Sequence, residues 1–372
     1  MITVGAALRA ALGLNRIRKV RGRRNLEFRA QPRAATEGRP YSGPREKQMN
    51  LKTNYLGISL PHPLIIGSSS LTNDLDTVRA LEDEGAAALV LRSFYEEEIV
   101  GEQMDGFFLS ENSGESSAEA ESYFPAPELA LGPDEYLEHL QRVKRAVRIP
   151  VIASLCGTST ASWVSYARLL EQAGADAVEL DLYHSASDAF TPAAEVEGQM
   201  IEVVREVKQG ISIPVAAKLS PLFTAFANFA SRLDAAGVDG LVLFTRFHKV
   251  DIDVVELEVL RSVTLSNSSE LQLRLRGAAV LAGRVKASIA VAGGVHTALD
   301  VVKATMAGAS VTQLVSAIME HGPRYLRSLR DELTEWMTAN EWTSLDEMRG
   351  NMSYQRIPDP TSYERATYRM FH

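Results

Sequence analysis

The sequence predicts an α/β chain folded as a (β/α)8 barrel of the TIM type. Three observations carry that prediction. Eight short apolar runs alternate with helical patterns between residues 64 and 314, as in a parallel barrel. Four segments share one grammar: LEDEGAAALVL, LEQAGADAVEL, LDAAGVDGLVL and MAGASVTQL. In each, a helix ends at a Gly, a small residue follows, and a β-rich apolar run begins. Gly suits the left-handed position just past a helix C-terminus. No GxGxxG follows the first run, which argues against the structural alternative, a doubly wound open sheet.

The first strand is expected at 64–67 and opens into the turn Gly67-Ser68-Ser69-Ser70. The second, 87–92, ends at Arg92-Ser93. IPVIASL and IPVAAKL give the third (150–154, ending at Ser154) and the fifth (214–219). In both a Pro stands at the strand start, where a missing N–H is tolerated. The fourth, 177–182, alternates so that Glu179 and Asp181 share one face and Leu180 and Leu182 the other. Buried carboxylates need partners, and Lys218 on the fifth strand is a natural one. The sixth, 240–244, leads to Thr245 and Arg246. The seventh, 288–292, ends in Gly293-Gly294 with a helix from about Thr297. The eighth, 310–314, ends at Val315-Ser316. Apart from the fourth, none alternates in polarity along its length, as expected for strands covered on both faces.

Charge divides the chain. Residues 1–48 hold 12 Lys/Arg against 3 Asp/Glu, and the remaining 324 hold 27 against 44. The net −8 is therefore +9 on a basic N-terminal extension and −17 on the body. The extension reads as a disordered tail outside the fold, with a targeting-like segment, a basic tail that contacts acidic partners and upstream sequence before Met49 as its other readings. The acidic body gives no support for nucleic-acid binding. No apolar stretch reaches the roughly 18 residues of a membrane span. A single cysteine, Cys156, excludes an internal disulfide framework and multi-cysteine metal sites, and suits a cytoplasmic protein. No His/Asp/Glu spacing forms a metal cluster. A long acidic loop at about 96–132, including SENSGESSAEAESYFP, reads as a lid over an active site or as a solvated insertion. Residues 49–350 make the barrel and 351–372 a C-terminal tail.

In such barrels the chemistry sits at the C-terminal ends of the strands. Backbone N–H groups at Gly293-Gly294 and Ser316 suit a phosphate. Lys218 suits a cation beside an anionic cofactor or substrate, or an imine-forming nucleophile. His184, just past the fourth strand, has the ordinary pKa for proton transfer; a plain hydrogen-bonding histidine is its other reading. The serine turn at 67–70 lacks a GxSxG elbow, so serine hydrolase chemistry is unsupported.

From Met49 to about Gly350 the chain resembles the dihydroorotate dehydrogenases, in particular a divergent bacterial branch similar to them. The segments that carry the likeness include YLGISLPHPLIIGSSSLT, ALVLRSFYEEEI, AVELDLYHSASD, PVAAKLSP and IAVAGGVHTALDVVKATMAGASVTQLVSAIMEHGP. The resemblance implies a barrel holding FMN, with dihydroorotate oxidised to orotate in pyrimidine biosynthesis by hydride transfer to the flavin. It implies that Gly67, Ser68 and Ser69 line the flavin, with Arg92, Ser93, Ser154, Asp181 and Thr245 around it. Lys218 lies at the pyrimidine edge of the ring, and Gly293, Gly294 and Ser316 hold the phosphate. A cytoplasmic homodimer acting on a small molecule is expected, with the electron acceptor or redox partner unspecified.

The sequence departs from the family at the substrate. The family's Asn-x-Ser-Cys/Ser-Pro-Asn loop runs here from Asp181 to Ala186, which puts His184 in the position of the base. The family lysine after the second strand is Arg92, and its Asn after the sixth is Thr245. The Gly of the last phosphate loop is Val315, and a glycine-rich turn before the seventh strand is reduced to Gly277. Lost amides remove partners that read a pyrimidine ring, so FMN binding is better supported than dihydroorotate itself. Two other functions are carried forward: a degenerate flavin-binding barrel without turnover, and a Lys218-dependent non-flavin lyase or isomerase.

Overall fold

The computed structural model describes residues 49–95, 133–157, 160–182, 189–245, 249–262 and 264–364. The basic extension (1–48), the acidic loop (96–132), His184, Arg246 and the last eight residues lie outside these.

Twelve strands are present among the described residues. They are β1 (Thr53–Tyr55), β2 (Ile58–Leu60), β3 (Leu64–Ile66), β4 (Leu89–Tyr95), β5 (Val151–Cys156), β6 (Ala177–Leu182), β7 (Val215–Leu219), β8 (Gly240–Leu243), β9 (Lys249–Asp253), β10 (Glu258–Ser262), β11 (Ser288–Ala292) and β12 (Val311–Leu314). Eight of them close a barrel in the order β11-β12-β3-β4-β5-β6-β7-β8, and every pairing in it is parallel. This is the expected (β/α)8 barrel, and each of the eight runs forms one of its strands.

The helices follow their strands as the alternation predicts. They include α1 (Leu75–Asp83), α2 (Pro133–Ala146), α3 (Thr160–Gln172), α4 (Ala193–Gly210), α5 (Phe226–Ala235), α6 (Leu271–Leu281), α7 (Ala298–Ala307), α8 (Ser316–His321) and α9 (Tyr325–Ala339). The four glycines of the repeated grammar, Gly85, Gly174, Gly237 and Gly308, all take positive φ, between 94° and 124°. An L side chain there would be strained, which is why Gly recurs at that step. Thr297 and Asp300 form a reciprocal capping box at the start of α7. One expectation fails. Gly277 is not in a turn before β11; it lies inside α6. A Cβ there would stand 2.9 Å from the Phe244 ring, so the glycine serves close packing of the helix on the end of β8.

Two antiparallel hairpins are added to the barrel. β1 and β2 pair before the barrel begins, and Tyr55, Leu56 and Leu60 join the apolar cluster of lumen-facing side chains. Leu56 Cδ2 would lie 2.4 Å from a Cβ on Gly240, so this hairpin plugs the end of the barrel where the strands start. β9 and β10 pair beyond β8 and expose Ile252, Val254, Val255, Leu257 and Val259. Packing continues past Gly350: Met352 N–H donates to Met306 and Tyr354 N–H to Ala279. No helix of the described residues is long and apolar enough to cross a membrane.

Candidate functional site

β6 reads AVELDL and all six residues are buried. Its alternation turns Glu179 and Asp181 into the lumen, as the sequence predicts, while Val178, Leu180 and Leu182 pack outward among the helices. Glu179 is wholly buried, at 0% exposure. Its Oε1 lies 3.2 Å from Lys218 Nζ, and its Oε2 accepts from Gln313 Nε2 at 2.6 Å. Asp181 faces Lys218 in the β6–β7 register and accepts a 2.7 Å bond from the Thr245 hydroxyl. A fully buried carboxylate without such partners would cost several kcal/mol. The expected pairing of Lys218 with β6 is therefore present, with Glu179 as the ion partner.

That pairing fixes the lysine's protonation. Burial, the largest single influence, pulls the ammonium pKa down. The charges of Glu179 and then Asp181 outweigh it, and the pKa stands above the usual lysine value. Lys218 is a charged ammonium at neutral pH. A serine relay runs alongside: Ser93 Oγ is 2.8 Å from Ser154 Oγ and 3.1 Å from Ser68 Oγ. Tyr95, at the end of β4, has its phenol pKa raised by burial and then by the Asp181 charge, so it keeps its proton at neutral pH.

A cleft opens at these strand ends. Its walls include Gly67, Ser68, Lys218, Gly293, Gly294 and Ser316, together with Phe244, Ser266, Gln313 and Val315. The cleft has a volume of about 110 Å³, room for a phosphate group. Gly293 and Gly294 take φ of 83° and 76°. A Cβ on Gly294 would lie 2.5 Å from Leu271 N, so only glycine brings the backbone this close to α6. The Gly294 N–H donates to Ser266 Oγ at 3.2 Å, and His296 Nε2 lies 3.2 Å from the same oxygen. Ser266 N–H in turn donates to Ser316 Oγ. Two nitrogens thus gather on the Ser266 hydroxyl, which stands with Gly294 and Ser316 in the cleft wall.

Six of the sequence-predicted residues line the cleft. Ser93 and Ser154 reach it through Ser68, and Asp181 with Thr245 stands beside Lys218. Arg92 and Ser69 are not in its walls. The Ser69 hydroxyl turns back onto Gly67 O, and the backbone N–H and C=O of Arg92 are tied to Thr72 and Tyr136. His184 lies outside the described residues. Among those residues no group of three metal-ligating side chains gathers. The sequence reading missed Gln313, Ser266, His296 and Phe244. Gln313 had one available signal, a lone amide at a lumen-facing position of a buried strand. Ser266 and His296 come from loops and carried none.

A sequence model of the family described as dihydroorotate dehydrogenase matches residues 129–337. The chain is 28% identical over 309 residues to the dihydroorotate dehydrogenase B (NAD(+)) catalytic subunit of Thermoplasma acidophilum, covering 81% of this chain and 98% of that one. It is 24% identical over 314 residues to the protein of the same name in Methanocaldococcus jannaschii, covering 81% and 97%. It is also 24% identical over 330 residues to the NAD-dependent dihydropyrimidine dehydrogenase subunit PreA of Escherichia coli, covering 83% and 78%. By the extent of the family match, and with a barrel of the expected architecture, the chain belongs to the dihydroorotate dehydrogenase family.

Proposed function

We propose that this protein is an FMN-dependent dehydrogenase that oxidises a CH–CH bond in a small cyclic substrate of the dihydropyrimidine class. Dihydroorotate, converted to orotate in pyrimidine biosynthesis, is the first candidate. The observation that carries the reading is the pairing of a charged lysine with a two-glycine cradle in one cleft. A phosphate dianion fits the cradle, where Gly294, Ser266, His296 and Ser316 converge. Gln313 Oε1 is buried without a hydrogen-bond partner, and Gln313 lines the same cleft. An acceptor of that kind suits a ring N–H of the flavin.

When bound, FMN would supply a two-electron hydride acceptor. Lys218 would hold the negative charge that gathers at the pyrimidine edge of the ring, and Glu179 would keep Lys218 in place. Gly67, Ser68, Ser93, Ser154, Asp181 and Thr245 would complete the flavin's surroundings, with Ser69 and Arg92 behind them and not in the cleft wall. His184 would take the substrate proton. An imidazole does this near neutral pH with less activation than a cysteine or serine needs.

The alternative with Lys218 as an imine-forming nucleophile requires a neutral amine. The ion pair with Glu179 opposes that form. The degenerate, non-turning barrel is separated by experiment. The purified protein should be yellow with stoichiometric FMN. Gly294→Asp, which sets a carboxylate against the cradle and a Cβ 2.5 Å from Leu271 N, should lose the flavin; Ser316→Asp, which adds the charge without that backbone clash, should lose it and stay folded. Anaerobic mixing with dihydroorotate or dihydrouracil should bleach the flavin, and His184→Ala should slow that step by roughly 10²–10⁴-fold. A colourless protein, or full flavin retention by Gly294→Asp, would overturn the cofactor assignment. A flavin that no dihydropyrimidine reduces would favour the non-turning barrel. The relatives named as catalytic subunits make an electron-accepting partner part of this proposal. A homodimer and a cytoplasmic location are part of it as well.

A further inference from the structure

We propose a second ligand site, for a phosphomonoester-bearing small molecule, at the opposite end of the barrel. A cavity of about 370 Å³ lies where β11 and β12 begin, beneath the segment 349–356. That volume falls within the range of roughly 300–1,000 Å³ usual for small-molecule sites.

Its lining is unlike the rest of the protein. Lys286, Arg349 and Arg356 all face it, and no Asp or Glu does, although the body of the chain carries a net −17. Three cations lining one concavity raise the local concentration of anions. Arg349 is held in place. Its Nη2 donates to Thr53 Oγ1 at 2.7 Å, its Nε to Ala309 O at 3.3 Å, and its Nη1 pairs with Asp346 at 2.6 Å. Arg356 donates to Arg349 O. Among the described residues, no carboxylate pairs with Lys286 or Arg356.

The hydroxyls give an independent sign. Ser310 and Ser353 line the same cavity and are 8% and 3% exposed. Neither hydroxyl bonds to a described residue, and neither oxygen is sealed off from the cavity, so both are open to a ligand. Cations without carboxylate partners, beside an anchored arginine and open hydroxyls, are what a dianionic, multi-oxygen head group recruits. The cavity is larger than inorganic phosphate requires, and the surplus volume points to a phosphorylated sugar or a nucleoside monophosphate. The site is remote from the cleft at the far ends of the strands and does not rest on the flavin reading.

The test uses the full chain as purified, with any bound flavin retained. Inorganic phosphate, ribose 5-phosphate, uridine 5′-monophosphate and free uridine are titrated by calorimetry. The expected result is binding of the phosphorylated probes with no response to uridine, and tighter binding of ribose 5-phosphate or the nucleotide than of phosphate. Lys286→Glu with Arg356→Glu should weaken binding at least tenfold and leave the visible spectrum unchanged. Both side chains are exposed and without ion partners, so this variant should fold; Ser353→Ala is a milder second variant expected to weaken binding severalfold. Three results would each overturn the proposal: no binding of any phosphorylated probe at millimolar concentration, equal affinity in the double variant, or loss of binding in a folded Ser316→Asp variant, which assigns the phosphate to the upper cleft. Binding of inorganic phosphate as tightly as its esters would overturn the choice of a larger ligand.

Discussion

The two halves of the barrel lumen carry opposite chemistry, separated by one step along β5, β6, β7 and β12. In the lower half Ile152, Ala177, Ala216 and Val311 meet in an apolar cluster closed by Tyr55, Leu56 and Leu60. Two residues further along the same strands stand Ser154, Glu179, Lys218 and Gln313, all buried. On β4 the change runs from Val90 to Ser93 across a register shift. The lower half is stabilised by exclusion of water. The upper half holds buried charge only because each charge has a partner. The comparison teaches that the apolar plug is what lets the polar layer exist: it closes one end of the lumen, so the polar groups face only the functional mouth.

The largest effect expected from breaking this arrangement is at the ion pair. Lys218→Met leaves Glu179 wholly buried with Gln313 as its remaining partner. Removing one member of a buried pair costs about 3–5 kcal/mol, and urea unfolding should register a loss of that size. Adding Glu179→Gln should recover most of it, because no uncompensated charge remains. A single variant as stable as the wild type would mean that the upper layer does not depend on paired charge.

The plug should cost somewhat less. Leu56→Ala opens a cavity against Gly240 at the lower end, and Leu-to-Ala changes in cores cost about 2–5 kcal/mol. Flavin content should not change, because Leu56 touches no wall of the upper cleft. Loss of flavin in Leu56→Ala, without global unfolding, would show that the halves are coupled more tightly than their separate chemistry indicates.

How much of this was legible in the sequence follows the same division. The strands were readable because each is covered on both faces and leaves a short apolar run. The glycines were readable because a left-handed step excludes other residues. Lys218, Glu179 and Asp181 were readable because a charge inside such a run stands out. Gln313 was not, because its meaning depends on Glu179, 134 residues away, which only closure of the barrel brings near. The β1–β2 plug was missed because YLGISL is too short to show a period. Gly277 was misread as a turn because a glycine inside a helix carries no local mark of the aromatic ring it accommodates.

The smallest expected effect at neutral pH, and the one that best sharpens the comparison, is at His62. It precedes β3 at the lower end, is 5% exposed, and accepts the Leu64 N–H through Nδ1. Burial, and next the Arg330 charge, lower its pKa to about 4. A histidine in the unfolded chain titrates near 6.5. Below that pH the unfolded chain takes up a proton that the folded chain refuses until about pH 4. Stability from this group is therefore fully present above pH 6.5 and is lost as pH falls toward 4, by an amount on the order of 3 kcal/mol. Lys218 behaves in the opposite sense. Its raised pKa keeps its contribution intact through acid and neutral pH, and that contribution fades only as pH climbs past the ordinary lysine value. His62 thus acts on the acid limb from the lower end and Lys218 on the alkaline limb from the upper. His62→Asn keeps an acceptor for Leu64 and removes the titration. It should match the wild type within about 1 kcal/mol at pH 7.5 and surpass it progressively between pH 6.5 and 4, read as the difference in Tm by circular dichroism. Other carboxylates destabilise both proteins in acid, so the difference carries the argument. A difference that stays constant with pH would remove His62 as the acid-sensitive group of the lower end.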